Sequence, residues 1–165
     1  MSILALERLK ERFSAAVVAT ATAHGNEMAT VERASAHQIL EFLRDDAETS
    51  FDFLSDLTAV DYLAYPPAGR ELRYEVVYQL YSTARKHRLR IKVGLPDDEN
   101  PIIDSVVDLW PGAGWLEREV WDLYGIRFRG HPDLRRILMY EEFVGHPLRK
   151  DYPKEKRQPL VRRSS

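Results

Sequence analysis

The chain has 165 residues, 44% apolar and 30% charged, enough for one globular domain with a buried core. A formal net charge of −2 argues against a nucleic-acid partner. The lack of cysteine excludes disulfides, zinc–thiolate sites, a thiol nucleophile and iron–sulfur clusters ligated from within the chain.

In chain order, Ile3, Leu6, Leu9 and Phe13 recur at helical spacing and predict a helix over 3–16. Glu7 and Glu11 interrupt any secretory pattern there, so no targeting segment is expected. The apolar run 15–23 is broken by Thr20 and Thr22 and falls short of the roughly 18 residues that a membrane span needs. Residues 28–33 suggest a short strand, because Thr30 and Val31 are β-branched. Ser35 is placed to cap a helix over 36–48 that buries Ile39, Leu40, Phe42 and Leu43.

A strand is expected over 51–64, with Phe53, Leu57, Val60 and Tyr62 as its apolar residues, followed by a turn at Pro66-Pro67-Ala68-Gly69. Residues 72–81 and 87–95 predict two antiparallel strands joined by a hairpin over 82–86. The second alternates cleanly, with Leu89, Ile91 and Val93 on one face and Arg88, Arg90 and Lys92 on the other. A further strand is expected over 102–109. The element order implies an α+β fold: a mixed or antiparallel sheet with helices packed on one face, then a short helix and an extended C-terminal arm. Residues 1–144 are assigned to the domain and 145–165 to the arm.

The short helix is expected over 115–124, entered through Gly112-Ala113-Gly114 and stopped by Gly125. Leu116, Val120 and Leu123 would form its buried stripe, with Trp115 and Trp121 as flanking core residues. Glu117 and Glu119, two apart, point to different faces and cannot serve as a paired-carboxylate catalyst. Arg118 and Asp122 gain little from each other in this order along the helix. They are expected to bond to groups elsewhere, in the sheet or on another chain.

Beyond Gly145 the chain offers only Leu148 and Tyr152 as large apolar groups. Their burial does not offset the backbone entropy of ordering such a segment. The expectation is therefore that a partner surface receives Arg149, Lys150 and Asp151 in charge-assisted bonds. Docking on its own domain and plain disorder are the alternatives.

His24, His37, His87, His131 and His146 lack metal-site spacing, and Gly145 and Pro147 prevent Glu142 and His146 from sharing a helix face. His131 and His146, each before a proline, are expected to form turns or donate hydrogen bonds. Gly112-Ala113-Gly114 lacks the third glycine of a dinucleotide cradle, and no G-x-S-x-G elbow occurs.

Several motifs fall in a fixed order. They are Glu117-Arg118-Glu119, Asp122-Leu123-Tyr124-Gly125-Ile126, His131, Leu134-Arg135-Arg136-Ile137-Leu138 and Gly145-His146-Pro147-Leu148-Arg149-Lys150-Asp151-Tyr152-Pro153. Over 105–153 the chain thereby resembles the 30-kDa subunit of respiratory complex I, the proton-translocating NADH:quinone oxidoreductase. The resemblance implies a non-catalytic peripheral-arm subunit with no cofactor of its own, the FMN and iron–sulfur clusters residing in partner subunits. It implies packing against the hydrogenase-like quinone-site subunit and adjacent iron–sulfur subunits, on the cytoplasmic side of a bacterial inner membrane. Membrane contact would come only through the complex.

It also implies that Glu117, Arg118, Glu119, Asp122, Arg135, Arg136, His146, Arg149, Lys150 and Asp151 are fold or interface residues. Tyr140-Glu141-Glu142 departs from the aspartate-containing pairs common in that family. The chain's stop soon after Pro153 is expected to forgo any longer C-terminal contact seen in relatives. Two other readings remain. One is the equivalent subunit of a membrane-bound nickel–iron hydrogenase or another donor-dependent quinone-reducing complex. The other is a freestanding enzyme using Glu117, Glu119 or His131.

Overall fold

A computed structural model describes residues 3–63, 72–96, 98–156 and 158. The turn expected at Pro66-Pro67-Ala68-Gly69 lies outside these residues. Helix α1 (Ile3–Phe13) leads into β1 (Val17–Ala23) and β2 (Asn26–Val31). A 3-10 turn at Arg33–Ser35 opens α2 (Ala36–Asp45), and β3 (Phe53–Asp61), β4 (Tyr74–Ser82) and β5 (His87–Leu95) follow. Then come β6 (Ile102–Asp104), α3 (Ala113–Tyr124) and β7 (Arg127–Arg129).

The main sheet has the order β1-β2-β5-β4-β3, with β2 and β5 parallel and the other pairs antiparallel. β6 and β7 form a separate parallel pair. The fold is therefore α+β with a mixed sheet. Register puts Ala29, Ile91, Tyr78 and Leu57 side by side on one face. That face packs in a single core with Leu6 and Leu9 of α1, Ile39, Leu40 and Leu43 of α2, and Val120 of α3. The helices thus share one side of the sheet.

β5 forms over the residues its alternation predicts, paired with β4 through a turn in which Lys86 takes a φ of 52°. On its open face, Arg90 donates to Gln79, Lys92 pairs with Glu75, and Arg88 lies over the Tyr81 ring.

Other expectations need correction. β1 was unforeseen, because Val-Val-Ala-Thr-Ala-Thr-Ala lacks the large alternating side chains that announce a strand. Ser35 makes no side-chain cap for α2. In β3 a bulge at Leu54/Asp56 shifts the parity, so Phe53 is exposed while Leu54, Leu57, Ala59 and Asp61 turn inward. The strand expected over 102–109 stops at Asp104.

Candidate functional site

The buried face of α3 runs through Ala113, Glu117 and Val120, so a carboxylate sits in the middle of an otherwise apolar stripe. Glu117 has no exposed surface and accepts bonds from Ser105 Oγ at 2.7 Å and the Val106 amide at 2.7 Å. Burial pushes its carboxyl up to about 7, against the pull of those two donors. Glu119, two positions on, is exposed. Trp115, expected in the core, is 65% exposed and carries the Arg118 guanidinium over its ring.

At the other end of α3 the fully buried Asp122 collects a whole loop. Its Oδ2 accepts the amides of Ile137, Leu138 and Met139 at 3.1, 2.8 and 2.8 Å, and its Oδ1 meets Arg136 Nη1 at 2.5 Å. Burial pushes this carboxyl up, but the amides and the guanidinium outweigh it and hold it below the usual range. Arg118 adds bonds to the carbonyls of Arg135 and Arg136. Arg118 and Asp122 were expected to bond to groups in the sheet or on another chain, and the structure gives them partners within the chain itself. They lie in the loop immediately downstream.

Helix α3 ends in the ordinary way, with Gly125 at a φ of 74° and its amide bonded to the Trp121 carbonyl. The last carbonyls of any helix lack intrahelical donors. Here the C-terminal arm supplies them. His146 Nδ1 bonds the Asp122 carbonyl at 2.9 Å, the Leu148 amide bonds that of Leu123 at 3.0 Å, and Arg149 Nε bonds that of Tyr124 at 2.5 Å. A Cβ on Gly125 would stand 2.5 Å from Arg149 Nη2 and 2.6 Å from His146 Cδ2, so the arm crosses directly over the bare glycine.

A second buried carboxylate anchors the next residues. Asp61, at the end of β3, accepts from the amides of Leu63 and Lys150 and from both Nε and Nη2 of Arg73. Arg73 reaches on to Asp151 at 2.9 Å. Burial raises the Asp61 carboxyl, yet Arg73 and the amides bring it below its ordinary value. Arg73 and Arg149 both lie over the Tyr74 ring. Tyr152 stacks on Phe143 and closes against Gly145, whose φ is 104°.

Residues 145–152 therefore dock on their own domain as a series of turns, which corrects the expectation that a partner surface orders them. The expectation weighed apolar burial and overlooked two acceptors already present: the open end of α3 and the Asp61 carboxylate. Neither Asp61 nor Arg73 was singled out from sequence. A carboxylate at the inward parity of Leu57 and Ala59 was the available signal.

The other expected residues are placed as follows. Arg136 is the junction, donating also to the carbonyls of Phe143 and Gly145. Arg135 is exposed and pairs with Asp133. The Lys150 residue is exposed, its amide alone engaged by Asp61. His131 accepts the Asp133 amide at Nδ1 and bonds the Gly114 carbonyl through Nε2, tying the loop to the start of α3.

Among the described residues no group of three or more His, Asp or Glu could hold a metal ion. A cleft of about 600 Å³ at the α1–α2 seam is walled by Arg8, Arg12, Phe42 and Asp46 and includes none of the residues above. No helix among the described residues is long and apolar enough to cross a membrane. The segment around the arm instead displays apolar side chains: Leu138, Val144 and Leu148 are exposed, as is Trp115.

Known proteins share this layout. A chain in the membrane-bound sulfane sulfur reductase, an archaeal respiratory membrane complex, superposes with a TM-score of 0.74 over 92% of this chain and 85% of its own, at 23% identity. That likeness concerns the fold. The C subunit of the NADH-quinone oxidoreductase of Geobacter sulfurreducens is 47% identical over 149 residues, 90% of this chain and 88% of the relative. Its counterparts in Roseiflexus sp. (47%, covering 82% of that relative) and Burkholderia thailandensis (45%, covering 76%) each align with 90% of this chain. The family described as respiratory-chain NADH dehydrogenase, 30 Kd subunit, matches residues 29–158, and the chain belongs to it.

Proposed function

We propose that the chain is a non-catalytic scaffold subunit of the proton-translocating NADH:quinone oxidoreductase. It would hold electron-carrying neighbours in place and contain no active site or cofactor itself. One observation carries the reading: buried ionic hubs fix an irregular segment so that it presents Leu138, Val144 and Leu148 to the outside. Ordering a loop around two buried carboxylates in order to expose leucine and valine makes physical sense when a partner covers those side chains.

The partner we propose is the large hydrogenase-like quinone-site subunit, with iron–sulfur subunits adjacent. FMN and clusters would reside in the partner subunits. The subunit would sit on the cytoplasmic face of a bacterial inner membrane, touching the membrane only through the complex. The fold shared with a sulfane sulfur reductase chain favours a place in a respiratory assembly. The 47% identity to an NADH-quinone oxidoreductase relative, against 23% to that chain, favours the NADH-linked complex over the hydrogenase-like alternative.

Replacing Arg149 and Lys150 together is a poor test, because Arg149 is an internal staple on Tyr124. The triple variant Leu138→Ser, Val144→Ser, Leu148→Ser changes exposed side chains only. Tagged wild-type protein pulled from membranes should bring flavin and iron with it. The triple variant should fold normally and recover neither. Full recovery of both by the triple variant would remove the docking surface from the proposal.

A further inference from the structure

The main sheet ends on two unlike edges. β3 is guarded: it carries Asp56 beside its bulge, and Asp61 at its far end holds the arm. β1 is not. Its seven residues, Val-Val-Ala-Thr-Ala-Thr-Ala, include no charge and no proline, and Val18, Ala19, Ala21, Thr22 and Ala23 are exposed. Natural edge strands are normally blunted by lysine, proline or a bulge, because a row of open amides and carbonyls pairs with any extended chain. The one such device here is a bulge at Val17/Ala19, and from Ala19 to Ala23 the register with β2 is regular.

The direction of the open groups follows from the hairpin. His24 and Gly25 form a two-residue loop with φ of 52° and 75°, the positive pair that a type I′ turn requires. Such a loop is closed by a hydrogen-bonded pair, here Ala23 and Asn26, and bonded and non-bonded pairs then alternate along the ladder. Ala21 and Ala19 accordingly turn their backbone groups toward β2. Thr22 and Thr20 turn theirs outward.

We propose that β1 is a strand-addition site, where an extended, uncharged segment of a neighbouring subunit of the complex pairs with Thr20 and Thr22 and adds a sixth strand to the sheet. The inference rests on the reading of the chain as a complex subunit. The neutral row of methyl and hydroxyl side chains offers no ionic partner, so main-chain bonds supply the affinity and a charged segment would be left unpaired on desolvation. A second copy of the chain fits less well. It would bring its own bulge and hairpin turn to the pairing and leave only Thr20 and Thr22 of each copy in register, whereas a bulge-free segment meets no such limit.

Hydrogen–deuterium exchange on the purified complex and on the isolated chain tests this. The Thr20 and Thr22 amides should slow by about tenfold or more on assembly, while those of Ala19 and Ala21, already bonded to β2, should change little. Equal Thr20 and Thr22 rates in both samples would overturn the inference. So would slowing in the isolated chain that grows with its concentration, the mark of self-pairing. Thr22→Pro removes an outward amide without breaking the β2 ladder and should cut incorporation into the complex several-fold at an unchanged melting temperature. Unchanged incorporation of a folded Thr22→Pro chain would also overturn it. If the wild-type chain recovers no flavin or iron at all, the scaffold reading fails instead; free exchange at Thr20 and Thr22 within an intact complex removes this edge alone.

Discussion

Arg136 Nη1 lies 2.5 Å from the Asp122 carboxylate, and the two side chains are 15% and 0% exposed. The same guanidinium bonds the Phe143 and Gly145 carbonyls, so one contact joins helix α3, the loop after β7 and the entry to the arm. Removing one member of a buried ion pair costs more than the pair contributes, because the survivor is left unsatisfied. Asp122→Asn should lower the unfolding free energy by about 3 kcal/mol, measured by urea denaturation of the purified chain. It should also expose Lys150 and Lys154 to rapid tryptic cleavage. A loss within experimental error would show that the three amides alone organise the loop.

Acid should release the arm before it melts the core. The Asp61 and Asp122 carboxyls lie below their ordinary 3.8 in the folded state. Their contribution is therefore fully present above that value and is lost as pH falls through the folded values. Trp121, in edge contact with His146, reports the event. Its emission should change below about pH 4, ahead of the far-ultraviolet signal of the sheet. A single coincident transition by both probes would show that arm and core unfold together.

Glu117 predicts the opposite slope near neutrality. Its folded value of about 7 lies above the ordinary 4.5, so the folded state holds the proton more tightly between the two. Stability is fully present below 4.5 and drains as pH rises through 7, by on the order of 3 kcal/mol at most. Glu117→Gln keeps an acceptor for the Val106 amide and a donor for Ser105. It should flatten the decline between pH 5 and 8 in a series of urea melts. The same slope in both proteins would place the neutral-range titration elsewhere.

These residues also show where sequence reading succeeds and where it stops. β5 was legible because Leu89, Ile91 and Val93 alternate with cations, and half-burial needs nothing more. β1 was not, since alanine and threonine carry too little hydrophobic contrast to reveal a period. Glu117 was read as half of a carboxylate pair whose members point to different helix faces. Only the sheet's position shows that its side is the inner one. The arm was misjudged for a more instructive reason. Counting Leu148 and Tyr152 addressed burial, but the carbonyls of Asp122, Leu123 and Tyr124 were foreseeable acceptors once a helix end at Gly125 was accepted.

Gly125 offers the sharpest test of that docking, because two costs can be separated there. Alanine at a φ of 74° is strained by about 1 kcal/mol, and its Cβ would also meet Arg149 at 2.5 Å and His146 at 2.6 Å. Gly130 has a similar φ of 87°, yet a Cβ there meets nothing within 4 Å. Gly130→Ala therefore measures the backbone cost alone, and Gly125→Ala adds eviction of the arm. The first should cost about 1 kcal/mol and leave the arm resistant to trypsin. The second should cost roughly 2 kcal/mol more, a penalty typical of overpacking a tight contact. It should also give early cleavage after Lys150. Equal losses in the two variants, with the arm protected in both, would mean that His146 and Arg149 leave Gly125 at no cost and that the staple over the helix end contributes nothing.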